Sequence, residues 1–230
     1  SLENRGFYVA PKSRSNYPTT WLSLSSSLNV GYLPENLLID TTQSINNIPL
    51  IKAVAKNRVA KFLKSIGYQY IHLPHDVALT MKKNQADIVI TNKKYISPFS
   101  HYILNKTFLK AFKLLSLNEI QKKREKILYG FKKLKDIPHN KEPTFTYAHF
   151  LMPHGPYAFG SKGELPAQNT STSEKYFEEI LFANKKIKHL VDHLQQNSKT
   201  PPIIIIQGDH GYLAPATYRP GADEIKKRFS

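Results

Sequence analysis

Apolar and polar positions along the chain fall into segments with a period near 3.6 and segments that alternate or run continuously apolar. Between Ile48 and Ile66, apolar side chains recur at Ile48, Ile51, Val54, Ala55, Val59, Phe62, Leu63 and Ile66, and Gly67 follows. This spacing predicts one amphipathic helix with a glycine stop. Pro18–Asn29 (PTTWLSLSSSLN) carries proline in a first-turn position and predicts a short helix. Ser173–Leu194 repeats its apolar residues from Tyr176 to Leu194 along one stripe and predicts a longer helix. Asn105–Lys135 is helical by composition. Four segments read as strands: Tyr68–Leu73, Asp87–Thr91, Thr144–Phe150 and Pro202–Gln207, with Pro74 and Asn92 as punctuation.

Alternating helices and strands are the signature of an α/β sandwich on a largely parallel sheet. The order strand, helix, strand from Thr144 to Gln207 predicts a βαβ unit. In such a unit the loops after both strands leave the same C-terminal edge, where open α/β sheets bind ligands. These two loops are rich in ionisable or rigid residues.

Composition narrows the picture. The 230 residues are 40% hydrophobic, enough for a buried core. Lys and Arg number 33 against 17 Asp and Glu, a formal charge of +16, which favours a polyanionic neighbour such as nucleic acid or an anionic membrane. The densest basic run, Gln121–Lys135 (QKKREKILYGFKKLK), reads as a surface for lipid or nucleic acid or as a solvated helix face. The basic residues are otherwise spread along the chain and accompany no nucleic-acid motif, so no nucleic-acid partner is expected. The absence of cysteine excludes disulfides, Cys-ligated zinc and thiol catalysis.

Three loops hold the candidate chemistry. Gly208-Asp209-His210-Gly211 follows four isoleucines, placing a carboxylate and an imidazole at the mouth of an apolar strand. Both groups suit Zn²⁺ or Mn²⁺, and the same tripeptide also serves as a polar strand cap. His154 lies between Pro153 and Gly155-Pro156, which restrict its backbone. Its imidazolium can donate to a phosphate or sulfate oxygen or to a leaving group, or be a turn residue without a task. The run Ser15-Asn16-Tyr17-Pro18-Thr19-Thr20 precedes a helix, so unsatisfied N–H groups and the helix dipole favour an anion there. The hydroxyls of Ser15, Thr19 and Thr20 are candidate nucleophiles if a metal lowers their pKa, and ordinary capping groups otherwise. His72, His75 and Asp76 have a ligand-like look but end a strand before a proline, and read as surface loop residues.

Together, Arg5–Asn29 (RGFYVAPKSRSNYPTTWLSLSSSLN), Thr144–Phe159 (TFTYAHFLMPHGPYAF) and Pro201–Gly211 (PPIIIIQGDHG) resemble the alkaline phosphatase/sulfatase superfamily. More narrowly, they are similar to sulfatase-like domains of bacterial membrane-anchored hydrolases and transferases that act on the cell envelope. The resemblance implies a three-layer α/β/α sandwich and a divalent metal on Asp209 and His210, zinc or manganese first, with calcium or magnesium as alternatives. It implies a catalytic and substrate-binding role for His154, with Arg14 and Thr19 also at the substrate. The nucleophile position falls on Asn16, an amide, with Ser15 one residue away. The expected activity is therefore metal-dependent hydrolysis or transfer of phosphate or sulfate esters of envelope lipids or glycans. The alternative is an inactive binding or scaffolding module. The resemblance also implies a bacterial inner-membrane protein, anchored by a segment outside this chain, with the domain on the periplasmic side. The family's first strand, with its metal-binding carboxylate, and its later strands are not recognisable. Residues 1–230 are thus expected to be a single, incomplete sulfatase-like domain of a longer protein.

Overall fold

The computed structural model describes residues 1–34, 47–74, 85–91 and 119–211. Among them, α1 spans Thr20–Asn29, α2 Ile48–Ala55, α3 Arg58–Ser65, β1 Gln69–Leu73, β2 Ile88–Val89, α4 Glu119–Leu134, β3 Thr144–Ala148 and α5 Thr172–Asn197. The strands form a parallel sheet in the order β2-β1-β3. β1 is central, and Tyr70, Ile71, His72 and Leu73 are all buried, as a parallel strand covered on both faces requires. His72 is therefore a core residue rather than a surface one. Its ring stacks against Tyr70 at 5.9 Å and against its register partner Tyr147 at 5.6 Å. Burial, reinforced by nearby His149, lowers its pKa to about 4 and keeps it neutral. His75 and Asp76 lie outside the described residues.

Helices cover both faces. On one side Leu24 and Leu28 of α1 and Val54 of α2 pack with Tyr147. On the other, α4 approaches so closely at Gly130 that a Cβ there would stand 2.8 Å from Phe150 and 3.2 Å from Leu73. Ile127 and Phe131 of α4, Phe182 of α5 and the loop residues Ala158 and Phe159 form a second core on that side. The result is the expected layering of an α/β sandwich.

Three expectations change in detail. The single helix over Ile48–Ile66 is two helices, α2 and α3, because Asn57 interrupts it. The buried Asn57 amide donates to the Val54 carbonyl at 2.9 Å and accepts the Ala60 N–H at 2.8 Å, ending one helix and capping the next. α5 begins earlier than its apolar stripe suggests, because Ser171 and Glu174 form a capping box. Residues 202–207 form no strand, and β3 pairs with β1 instead. Ile203 is 95% and Ile205 81% exposed. An isoleucine run supplies strand propensity, but a strand also needs pairing with a neighbour's hydrogen-bonding edge, and residues 202–207 pair with none of the described strands. The expected helix at 105–135 is seen over Glu119–Leu134, and its part before 119 lies outside the described residues. No described helix is long and apolar enough to cross a membrane.

Candidate active site at the sheet edge

β3 ends at Ala148, so the next residue, His149, stands at the C-terminal edge of the sheet, its N–H directed at the Leu73 carbonyl at 3.5 Å. Burial lowers the pKa of His149; Asp209 opposes this, while His210 and His154 lower it further. The groups singled out in the two loops thus act on one imidazole at the sheet edge. Sequence reasoning passed over His149; the signal that marks it is its position directly after a strand of a parallel sheet.

The tightest convergence joins the Asp-His-Gly loop to the start of α1. His210 Nδ1 lies 2.8 Å from the Gly211 carbonyl, which can only accept, so Nδ1 carries a proton. In the neutral ring Nε2 then holds the lone pair. That Nε2 is 3.2 Å from Thr20 Oγ1 and 3.5 Å from Asp209 Oδ2. Asp209 Oδ1 accepts the His210 N–H at 3.0 Å, which leaves Oδ2 to face the ring.

The helix start places the other candidates differently. Thr19, the N-cap of α1, is exposed, and its side chain makes no capping hydrogen bond. Arg14 and Ser15 are exposed. Asn16 is tied to α1 at both ends of its amide, donating to Ser26 Oγ at 2.7 Å and accepting from Ser23 Oγ at 2.8 Å. Thr20 brings a hydroxyl to His210, while Asn16 holds the turn in front of it.

His154 lies in a loop with cis peptides at Met152–Pro153 and Gly155–Pro156. Its Nδ1 is 2.6 Å from the Gly155 carbonyl and so carries a proton, leaving Nε2 as the ring's second nitrogen for chemistry. Beneath it, the carboxylate of Glu179 accepts the His154 N–H at 3.1 Å and the Ala158 N–H at 2.8 Å.

A divalent ion fits the Asp209–His210 pair by donor type. Asp209 offers a carboxylate oxygen, His210 an imidazole nitrogen and Thr20 a hydroxyl oxygen, with His210 Nε2 3.2 Å from Thr20 Oγ1 and 3.5 Å from Asp209 Oδ2. The buried hydroxyl of Tyr147 finds no hydrogen-bond partner among the described residues, and Asp209 contributes to the upward shift of its pKa behind burial and Tyr70. Among the described residues, no cluster of three or more Asp, Glu or His side chains suited to a metal is present.

A parallel sheet clad by helices, with an Asp-His pair and a helix-start hydroxyl meeting beside its edge, defines an α/β protein of the alkaline phosphatase-like class. The model of the Sulfatase family matches residues 14–227, and the chain belongs to that family, within the alkaline phosphatase/sulfatase superfamily. No curated protein and no solved structure matches the chain.

Proposed function

We propose that this protein is a metal-dependent hydrolase or transferase acting on phosphate or sulfate esters of cell-envelope lipids or glycans. Membership of the sulfatase family supports ester chemistry of this kind. The observation that carries the reading is the 3.2 Å contact between Thr20 Oγ1 and His210 Nε2, beside Asp209. Asp209 and His210 would hold the ion, zinc or manganese by donor type. When bound, that ion supplies a Lewis acid that polarises the ester and lowers the pKa of a coordinated hydroxyl.

The chain's own groups divide the remaining work. Thr20 is the nucleophile of this proposal, since it alone of the candidate hydroxyls meets His210. Its hydroxyl gives up its proton to water as its oxygen attacks phosphorus or sulfur, the bond to the leaving alcohol breaks, and water or an acceptor alcohol then takes the phosphoryl or sulfuryl group and returns the proton to threonine. As an imidazolium, with Nδ1–H kept on the Gly155 carbonyl, His154 donates its Nε2 proton to the leaving oxygen. Arg14, exposed in front of α1, supplies positive charge for the anion together with the helix dipole. The strongly basic chain favours anionic substrates. This reading sets the domain outside the cytoplasmic membrane, joined to it by a segment beyond this chain.

The test is turnover of bis-p-nitrophenyl phosphate, p-nitrophenyl phosphate and p-nitrophenyl sulfate after loading with zinc or manganese. Loss of turnover in Asp209→Ala is expected, and turnover that survives this change would sink the reading. Metal binding without turnover of any ester would instead favour an inactive binding module, consistent with the amide of Asn16 at the family's nucleophile position.

A further inference from the structure

We propose that Lys123 and Glu179 form a buried positioning pair that fixes the backbone of the His154 loop, and through it the His154 imidazole. This inference rests on the substrate role proposed for His154. Glu179 of α5 is 0% exposed and Lys123 of α4 only 8%. Charged groups this deeply buried need partners that replace their hydration. Here the partners are the loop itself. The carboxylate takes the N–H groups of His154 and Ala158, while the ammonium donates to the carbonyls of His154 and of Pro156, the latter at 3.0 Å. Lys123 Nζ and Glu179 Oε2 stand 3.6 Å apart, with the loop's polar groups completing both shells.

Four backbone groups within five residues are therefore held by one ion pair, and both peptide groups of His154 are among those bound. The next residue of α4 extends the grip: Arg124 donates to the carbonyls of Ala158, Gly163 and Glu164. Its guanidinium lies 4.5 Å from the centre of the Phe159 ring, which is buried against Phe182. A loop carrying two prolines and a catalytic histidine has few regular hydrogen bonds of its own, and α4 and α5 supply them. Part of the basic run at 121–135 is thus turned inward rather than towards lipid, nucleic acid or water.

The experiment combines kinetics with amide hydrogen exchange on the full chain. In Glu179→Gln, turnover of bis-p-nitrophenyl phosphate should fall about 100-fold, the scale expected of a ~1 Å misplacement, with KM and bound metal little changed. In the His154→Ala background the same change should have almost no further effect, because Glu179 acts through His154. Exchange at the His154 and Ala158 amides should accelerate in Glu179→Gln while the Ile71 amide of β1 stays protected. If Glu179→Gln does not fold, the pair Lys123→Met/Glu179→Gln removes both charges and carries the same expectations. Losses that multiply with His154→Ala, or exchange at His154 and Ala158 that does not change, would overturn the proposal. A wild-type protein without turnover would count against the enzymatic reading, and the exchange measurement would still decide the clamp.

Discussion

The two loops that carry the candidate chemistry are built in opposite ways. The His154 loop is pinned by a buried ion pair, by Arg124 and by the apolar packing of Ala158 and Phe159. The Asp209–His210 loop follows an isoleucine run in which Ile203, Ile205 and Ile206 are exposed and which forms no strand. Its described side-chain hydrogen bonds are with Thr20 and with its own neighbours, and its charge also acts on His149. A group that handles substrate gains rate from being preorganised, since reorganisation at the moment of reaction is avoided. The proposed metal donors, Asp209 and His210, already stand within 3.5 Å of each other, held by short local contacts rather than by buried charge. The proposed substrate side is thus pinned by buried charge on two helices, and the proposed metal side by contacts close in sequence and by Thr20.

Removing the side chain that, among the described residues, joins the second loop to the helix start should have the largest effect. Thr20→Ala is expected to lower turnover by on the order of 10³-fold or more, with Thr20→Ser retaining part of the activity, as measured by steady-state kinetics. Equal activity in Thr20→Ala and wild type would return the nucleophile to Ser15 or another group.

Breaking the clamp on the first loop comes next. Glu179→Gln leaves the Lys123 ammonium buried without its counter-charge, and urea denaturation should show a loss of about 3–5 kcal/mol. The double change Lys123→Met/Glu179→Gln should recover much of this, because no unpaired charge remains.

A smaller effect reports on the sheet that supports both loops. His72 has a folded pKa of about 4 against an ordinary 6.5. Between these values the unfolded chain binds a proton that the folded chain refuses. Stability should therefore be fully present above pH 6.5 and fall as pH drops towards 4, by at most about 3 kcal/mol. His72→Leu should remove that portion of the pH dependence in urea melts collected across the window.

The smallest effect is steric. Gly130→Ala gains about 1 kcal/mol of helix propensity but places a methyl 2.8 Å from the Phe150 ring, which is stacked on Phe131. A net destabilisation of about 1 kcal/mol is expected in thermal or urea unfolding, and a stabilised variant would show that α4 can move off the sheet.

The sequence made much of the fold legible because the physics there is local. Short segments rich in aromatic and β-branched residues marked β1 and β3, the 3.6-residue stripe marked α5, and Pro18, two residues before Thr20, announced α1. The loops with Asp209, His210 and His154 were visible through residue type and family resemblance. What escaped depends on neighbours distant in sequence. Asn57 breaks a helix through a buried amide that no periodicity reveals. The isoleucines at 203–206 promise a strand, but pairing belongs to the partner as much as to the segment. Lys123 sits in a run whose charge suggests solvent, and only the carbonyls of a loop more than thirty residues away make its burial tolerable. Thr20 stood among three equivalent hydroxyls until His210, 190 residues on, distinguished it.

The central claim is that Asp209 and His210 hold a divalent ion beside Thr20. It is tested most directly by plasma mass spectrometry of the purified protein, Asp209→Ala and His210→Ala after equilibration with zinc or manganese and removal of excess metal. The account predicts near-stoichiometric metal in the wild type and little in either variant; equal metal in all three, or none in any, would contradict it.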